Sequence, residues 1–327
     1  METIRWGIIG CGSVAETKGG PALYQAPGSK LTAVMSRNPE RARSFAERHG
    51  AVRWCTAVED LLADEGLDAV YIATPPDTHA ELTEQAARAK KHVLCEKPMA
   101  LNVEECRRMI AACRDNGVQL MIAYYRRFYP VVLKMKELVR EGRIGDLVYG
   151  RVLVGAPYAR GMGWRVDPAV AGGGFVSDVG SHRIDLLNYF LGTPLGVSGL
   201  AESVLDLPVD DTASAVIRYE KGLHAVGQFY WTLQAPVDEF EIGGTQGRLL
   251  VTGLEQGALR VITKSGVEEH ILPRHPVTHY GLVEHFVRCL REGKPNDLPG
   301  EEGMKTTVVL DALYQASKAD GCRTTRL

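Results

Sequence analysis

Little in this sequence runs to extremes, and each thing it lacks removes a class of function. No stretch approaches the roughly 20 consecutive apolar residues of a membrane helix, so no membrane partner is expected. Neither sign of charge dominates: 38 Lys and Arg stand against 40 Asp and Glu, a formal net charge of -2. So small an imbalance offers no footprint for nucleic acid. Cysteine is sparse, seven residues with no CxxC and no metal-ligand spacing; Cys106 and Cys113 are spaced like one face of a helix. Reduced thiols and a cytoplasmic location are the plain reading. The opening METIRWGIIGCG enters a strand pattern with no basic segment followed by an apolar one. Low-complexity segments and short repeats are missing too. What remains is a globular composition, 45% hydrophobic and 24% charged over 327 residues, too long for one core and comfortable for two.

The first third alternates strand and helix patterns. IRWGIIG, KLTAVMS, AVRWC, DAVYIAT, HVLCEK and VQLMIAY read as six strands, apolar on both faces. The helix NPERARSFAERHG begins on Pro39 and stops at Gly50; TAVEDLLADEG carries Thr56 and Glu59 at capping-box spacing; NVEECRRMIAACRDNG is capped by Asn102 and ended by Gly117. Such rotation predicts an α/β domain with a doubly wound, Rossmann-type parallel sheet over residues 1–123. After Tyr124 the rhythm changes to a helix near 128–142, a glycine-rich stretch, one helix, and short alternating runs from Val197 to Leu272. These predict an α+β domain over 124–327 on an open, mainly antiparallel sheet, with a closing C-terminal helix able to pack back on the first domain.

Four stretches carry chemistry. GCGSVA, with Gly10, Gly12, Ser13 and Val14, follows the first strand and opens a helix. It is the G-x-G-x-x-A form of the dinucleotide fingerprint, whose glycines let backbone approach a pyrophosphate. At the end of the second strand an NAD enzyme usually has an acid for the ribose hydroxyls; here stand Ser36 and Arg37, with Arg41 one turn on. A hydroxyl and guanidinium forks suit a 2′-phosphate, so NADP(H) is favoured, with NAD(H) possible. ATPPDTH, with Thr74, Pro75 and His79, and VLCEKP, with Glu96 and Lys97, leave the fourth and fifth strands at the same sheet edge, where ligands of such sheets bind. Lys97 is then a cation delivered to the nicotinamide crevice to hold a substrate oxygen, and Glu96 tethers the segment or the lysine. A surface ion pair is the plainer reading of Glu-Lys-Pro alone.

The fourth stretch is AGGGFVSDVGSHRIDLLNYFLG. Asp178, His182 and Asp185 fall at i, i+4 and i+7, a polar stripe beside the apolar Ile184, Leu187 and Leu191. A histidine titrates near neutrality, and an aspartate one turn earlier can orient it. The set would also suit a metal, but a nicotinamide and Lys97 leave no need for a Lewis acid, so no metal is expected.

Taken in order, GCGSVA, ATPPDTH, EKP and GGGFVSDVGSHRIDLL resemble the Gfo/Idh/MocA family along nearly the whole chain. The resemblance implies NAD(P)-dependent oxidation of a secondary alcohol on a sugar, cyclitol or related polyol, or the reverse reduction. It implies Lys97 as the catalytic lysine before a cis Lys–Pro bond, His182 as acid/base, Asp178 as its partner or a substrate ligand, and Asp185 as a substrate contact or a residue that steadies the site. AVMSRNPERA and GWRVDPAVAGGG look like the NADPH-using 1,5-anhydro-D-fructose reductase branch. That implies Ser36 and Arg41 at the 2′-phosphate, and Trp164 and Arg165 at the cofactor. Arg37 is bulkier than that branch's small polar residue, and YYRRFYP is common in other branches. Arg126 or Tyr158 joins Lys97, Asp178 and His182 on the substrate hydroxyls. The alternatives are a non-catalytic sugar sensor on the same fold and a hydrolase cleaving glycosides through a transient ketone. The open sheet face predicts a homodimer or homotetramer.

Overall fold

A computed structural model describes residues 2–319 and the backbone of residues 325 and 326. The chain forms two compact units, Met1–Tyr125 with His275–Met304, and Arg126–Arg274 with Lys305–Leu327. The segment His275–Met304, numbered with the second domain in the sequence but holding a closing helix able to pack back on the first, is grouped with the first unit.

The first unit is built on six parallel strands, β1 (Ile4–Ile9), β2 (Ser29–Met35), β3 (Arg53–Cys55), β4 (Ala69–Ile72), β5 (His92–Cys95) and β6 (Leu120–Ile122). They lie in the order β3-β2-β1-β4-β5-β6, the doubly wound arrangement with its switch point at β1 and β4. β4 and most of β1 and β5 are buried, which is why they read as apolar runs rather than alternations. All strands run the same way, so the residues following them, Gly10, Ser36, Ala73, Glu96 and Ala123, share one edge of the sheet. Helix Tyr280–Glu292 covers β1, Phe286 meeting Trp6 at a ring-centroid distance of 6.0 Å. The helix ends obey local chemistry. Asn38 accepts from the Arg41 N–H ahead of helix Pro39–His49, and Gly50 closes it at φ 70°. Asn102 accepts from the Glu105 N–H. The capping box expected at Thr56 does not form: helix Val58–Leu62 starts from Ala57 without a side-chain cap, leaving Thr56 one position too early.

The second unit carries a nine-strand sheet of β7 (Leu147–Pro157), β8 (Pro194–Glu202), β9 (Thr212–Tyr219), β10 (His224–Tyr230), β11 (Thr232–Gly244), β12 (Gly247–Thr252), β13 (Ala258–Thr263), β14 (Gly266–Ile271) and β15 (Thr325–Arg326). Its order is β14-β13-β12-β11-β7-β10-β9-β8-β15. Every neighbouring pair is antiparallel except β7 and β10. Along β9, Ala213, Ala215, Ile217 and Tyr219 are buried while the residues between them are not, the alternation of a sheet with one covered face. Helix Ser181–Leu191 covers that face, so close that a Cβ on Gly150 of β7 would lie 2.6 Å from Leu187. Every residue of this helix except Tyr189 is buried, so it is a core helix rather than the amphipathic one its sequence suggested. Among the described residues no helix is long and apolar enough to cross a membrane.

Candidate active site

The fingerprint loop separates two kinds of glycine. Gly10 has φ +100°, and a Cβ there would lie 2.9 Å from the Ala73 carbonyl oxygen and from Thr74 Cγ2, so the fold itself demands it. Gly12 is different: a Cβ there would meet nothing within 4 Å. A glycine that the chain does not need, at the start of a helix and beyond a parallel strand, leaves the space a dinucleotide pyrophosphate would take. The residues present therefore fit the cofactor the fingerprint implies. Ser13 and Val14 begin the helical segment, which continues as a π-turn, Ala15–Gly19. Gly19 rests on the Tyr71 ring, where no side chain would fit. Cys11 points its thiol at the Met35 carbonyl, 3.5 Å away. Burial, then the charge of Glu16, pushes that thiol up to about 12, so it stays protonated.

At the end of β2, Ser36 is buried, and its hydroxyl accepts from the Asn38 N–H at 3.3 Å. Arg37 and Arg41 are exposed, and Glu40 is the acid of the following first turn. Beyond β4, the Thr78 hydroxyl lies 2.7 Å from that of Thr74 and 2.8 Å from the Pro75 carbonyl, fixing that loop. His79, expected at the cofactor, is instead wholly buried. Its Nδ1 is 3.0 Å from the Pro98 carbonyl and its Nε2 is 2.9 Å from that of Thr74, so it staples the β4 loop to the Lys97–Pro98 turn. Burial lowers its pKa.

The Lys97–Pro98 bond is cis, and Lys97 is half-buried. Glu96, grouped with the cofactor loops by its place beside Lys97, turns inward and tethers the segment, the role also expected of it. Its Oε1 accepts from the Tyr71 hydroxyl at 2.6 Å and from His279 Nε2 at 2.8 Å; its Oε2 accepts from the Lys97 N–H at 3.2 Å. Burial alone would raise its pKa. His279, Tyr71 and the charge of Lys97 outweigh burial and bring it to about 2, so a carboxylate sits behind the lysine. Tyr71 and His279 were missed by sequence reasoning: one lies within an apolar strand, the other 183 residues beyond Glu96, and neither carries a local motif.

In the second unit the expected polar stripe divides by depth. A π-turn, Val176–Gly180, precedes helix Ser181–Leu191 and widens the spacing on which the i, i+4, i+7 reading rested. The Asp178 side chain is 25% exposed and lies 3.3 Å from Arg165 Nε. His182 is 5% exposed. Asp185 is wholly buried, both its oxygens accepting from Arg127 at 2.7 to 3.1 Å. It is a partner for a buried guanidinium and is not presented to a substrate. The three glycines before the π-turn are likewise structural. Gly172 has φ +72°, a Cβ on Gly173 would strike the Tyr314 hydroxyl, and one on Gly174 would strike the Asp210 backbone. The Asp210 carboxylate binds the N–H groups of Gly174 and Val176 at 2.7 and 2.9 Å and the Tyr314 hydroxyl at 2.7 Å. Asp210 and Tyr314 thus hold the start of the segment that carries Asp178 and His182.

Arg126 is buried 2.8 Å from Glu255, its guanidinium 5.6 Å from the Tyr129 ring centroid. The Glu255 carboxyl would be raised by burial, but Arg126 and Arg274 lower it. Tyr158 is half-buried with its ring edge-on to Trp231 at 5.8 Å. Arg165 lies over the Trp164 ring at 4.5 Å, so Trp164, Arg165 and Asp178 form one group.

Comparison with known proteins accords with this geometry. Residues 4–124 match the model of an oxidoreductase family with an NAD-binding Rossmann fold, and residues 132–250 match the GFO/IDH/MocA C-terminal domain. The chain is 32% identical over 323 residues to the 1,5-anhydro-D-fructose reductase of Ensifer adhaerens, covering 96% of each. It is 31% identical over 322 residues to D-xylose 1-dehydrogenase (NADP(+)) 2 of Haloferax volcanii, 96% of this chain and 97% of the relative. The crystal structure of aldose-aldose oxidoreductase from Caulobacter crescentus complexed with glycerol superposes with a TM-score of 0.91 at 28% identity, covering 99% of this chain and all of the other.

Proposed function

The chain belongs to the Gfo/Idh/MocA family of oxidoreductases, and we propose that it transfers hydride between NADP(H) and a secondary alcohol or ketone of a sugar or related polyol. The observation that carries the reading is the sheet edge of the first unit. Lys97 stands there over a carboxylate, and Gly12 opens space that the chain does not fill. The D-xylose and anhydrofructose enzymes among the relatives supply the substrate class.

A bound nicotinamide supplies the hydride acceptor in oxidation and the donor in reduction. The chain supplies the rest. His182 takes the hydroxyl proton in oxidation and returns it in reduction, because imidazole titrates near neutrality. Lys97 stabilises charge developing on the oxygen, a task suited to an ammonium ion and not to a base. Asp178 orients the substrate or His182. Arg126 or Tyr158 binds further hydroxyls. Ser36, Arg37 and Arg41 are assigned to the 2′-phosphate, Gly10 to Val14 to the pyrophosphate, Thr74 and Pro75 to the nicotinamide loop, and Trp164 and Arg165 to the cofactor. A panel of sugars and polyols offered with NADP+ and of their ketones with NADPH, read by absorbance of the reduced cofactor, tests the reading. A chain that binds NADPH yet turns over no member would favour a dinucleotide-binding sugar sensor.

Self-association is assigned to the outer face of the second unit's sheet. Leu200, Val216 and Val226 project there, 48%, 46% and 40% exposed, with Val216 and Val226 paired across β9 and β10. Light scattering at micromolar concentration should give a dimer or tetramer; a monomer overturns the assignment.

A further inference from the structure

We propose that His279 is a positioning residue for Lys97, acting through Glu96; the role rests on the reading of Lys97 as the cation that stabilises the substrate oxygen. Three donors converge on Glu96: the Tyr71 hydroxyl, His279 Nε2 and the Lys97 N–H. As a carboxylate, Glu96 holds the Lys97 backbone and keeps a negative charge beside the lysine. Protonated, it loses that charge, and one oxygen becomes a donor.

His279 is spent wholly on this carboxylate. It is fully buried, its ring lies 4.4 Å from that of Tyr125 and 6.3 Å from that of Tyr71, and its Nδ1 has no partner. Packing alone does not explain it, since a leucine would occupy such a place without burying an orphan nitrogen. Nε2 faces Glu96, so its hydrogen is present whether the ring is neutral or charged. Tyr71 is the second support, its ring backed by Gly19 of the π-turn. The titratable groups around Glu96 are Cys95 and Lys97 on its own strand and its exit, Tyr71 on β4, His79 after β4, Tyr125 after β6 and His279. Burial keeps the Cys95 thiol and the Tyr71 phenol protonated and lowers His79. The charge that answers Glu96 therefore comes from Lys97 and, when protonated, His279.

The sign follows. In the parent, Glu96 is depressed to about 2 and stays ionised across the assay range. His279→Leu removes its strongest lowering partner and leaves Tyr71 and Lys97 against burial, so Glu96 shifts upward, toward taking up a proton as pH falls. His279→Gln keeps an N–H donor. Difference infrared spectra against Glu96→Gln should show a protonated carboxyl at about pH 6 in His279→Leu and none in the parent or His279→Gln. Single-turnover hydride transfer should fall roughly 10- to 100-fold at about pH 6 in His279→Leu and recover toward alkaline pH, with His279→Gln close to the parent. NADPH affinity should not change. An equal, pH-independent loss in both variants with no carboxyl band overturns the proposal and makes His279 merely structural. A band without a rate effect, while Lys97→Met is inactive, also overturns it but leaves the proposed function standing. A fully active Lys97→Met overturns the reading of Lys97 as the stabilising cation, and the proposal with it, while hydride transfer itself stands. Should His279→Leu fail to fold, Tyr71→Phe, which removes one hydroxyl, must give a weaker form of the same band and acid loss; a silent Tyr71→Phe then overturns the idea.

Discussion

Two glycine-rich helix starts, GCGSVA at 10–15 and AGGGFVSDVG at 171–180, look alike in sequence and are used in opposite ways. Each leads into a π-turn, Ala15–Gly19 in one and Val176–Gly180 in the other. In the first, Gly12 faces open space; in the second, Gly173 and Gly174 are met by Tyr314 and Asp210. A glycine run before a helix makes room either for a ligand or for the chain's own distant parts. The buried acids differ in the same manner. Glu96 is held by hydrogen bonds from a phenol, an imidazole and an amide, whereas Asp185 is held by a guanidinium. The first region presents a glycine that the chain does not pack against, and the second packs its glycines against the chain's own distant residues.

Closure should show first as stability. Asp185→Asn leaves the Arg127 guanidinium buried without its counter-charge, and breaking such a pair costs about 3–5 kcal/mol. Asp178→Asn, seven positions earlier on the supposed stripe, breaks a partly exposed pair with Arg165 and should cost about 0–1 kcal/mol. Denaturant unfolding of both variants measures the difference; equal losses would mean that the stripe is one environment after all.

The next effect is on rate. Lys97→Met and His182→Ala should each lower turnover by at least ~100-fold, the lower end of what a positioned acid/base or electrostatic group contributes. Both should still bind cofactor. Single-turnover hydride transfer with cofactor affinity measured in parallel separates the cases: loss of cofactor instead of rate would make these positions structural.

The fold was legible because its signals are local. Apolar strands in strict rotation with helices give the parallel sheet, and Asn38, Pro39 and Gly50 mark one helix within a dozen residues. The site was legible only where a motif announces it. Lys97 and Gly12 are proposed on that basis. Glu96 and His79 were placed at the cofactor because they stand beside such motifs, yet both side chains turn inward, His79 to the carbonyls of Thr74 and Pro98 and Glu96 to His279, 183 residues on. For Asp185 the resemblance left a substrate contact and a steadying role open; its partner Arg127 lies 58 residues away, and helical spacing is silent about it.

A smaller effect tests the cofactor end of the open region. Ser36→Asp places a carboxylate where a 2′-phosphate is proposed, beside Arg37 and Arg41. NADPH binding should weaken roughly 10-fold relative to NADH, about 1.4 kcal/mol. Titration of both cofactors by fluorescence measures the ratio; tighter NADH than NADPH binding in the parent would remove the NADP(H) assignment.

The smallest change in stability should come from Gly12→Ala, and it isolates the comparison best. The added methyl meets nothing of the chain within 4 Å, and no left-handed φ forbids it, so stability should shift by no more than about 0.5 kcal/mol. Gly10→Ala is the control. It forces an alanine to φ +100° with its Cβ 2.9 Å from the Ala73 carbonyl, which should cost about 1–3 kcal/mol. If Gly12 is glycine so that backbone can approach a pyrophosphate, Gly12→Ala loses dinucleotide affinity while melting like the parent. If it is glycine for no such reason, neither quantity moves, and the open space at the first helix start is only a surface. Thermal melts of both variants, with and without NADPH, decide it: the parent should gain stability from the cofactor by mass action, and Gly12→Ala should gain little.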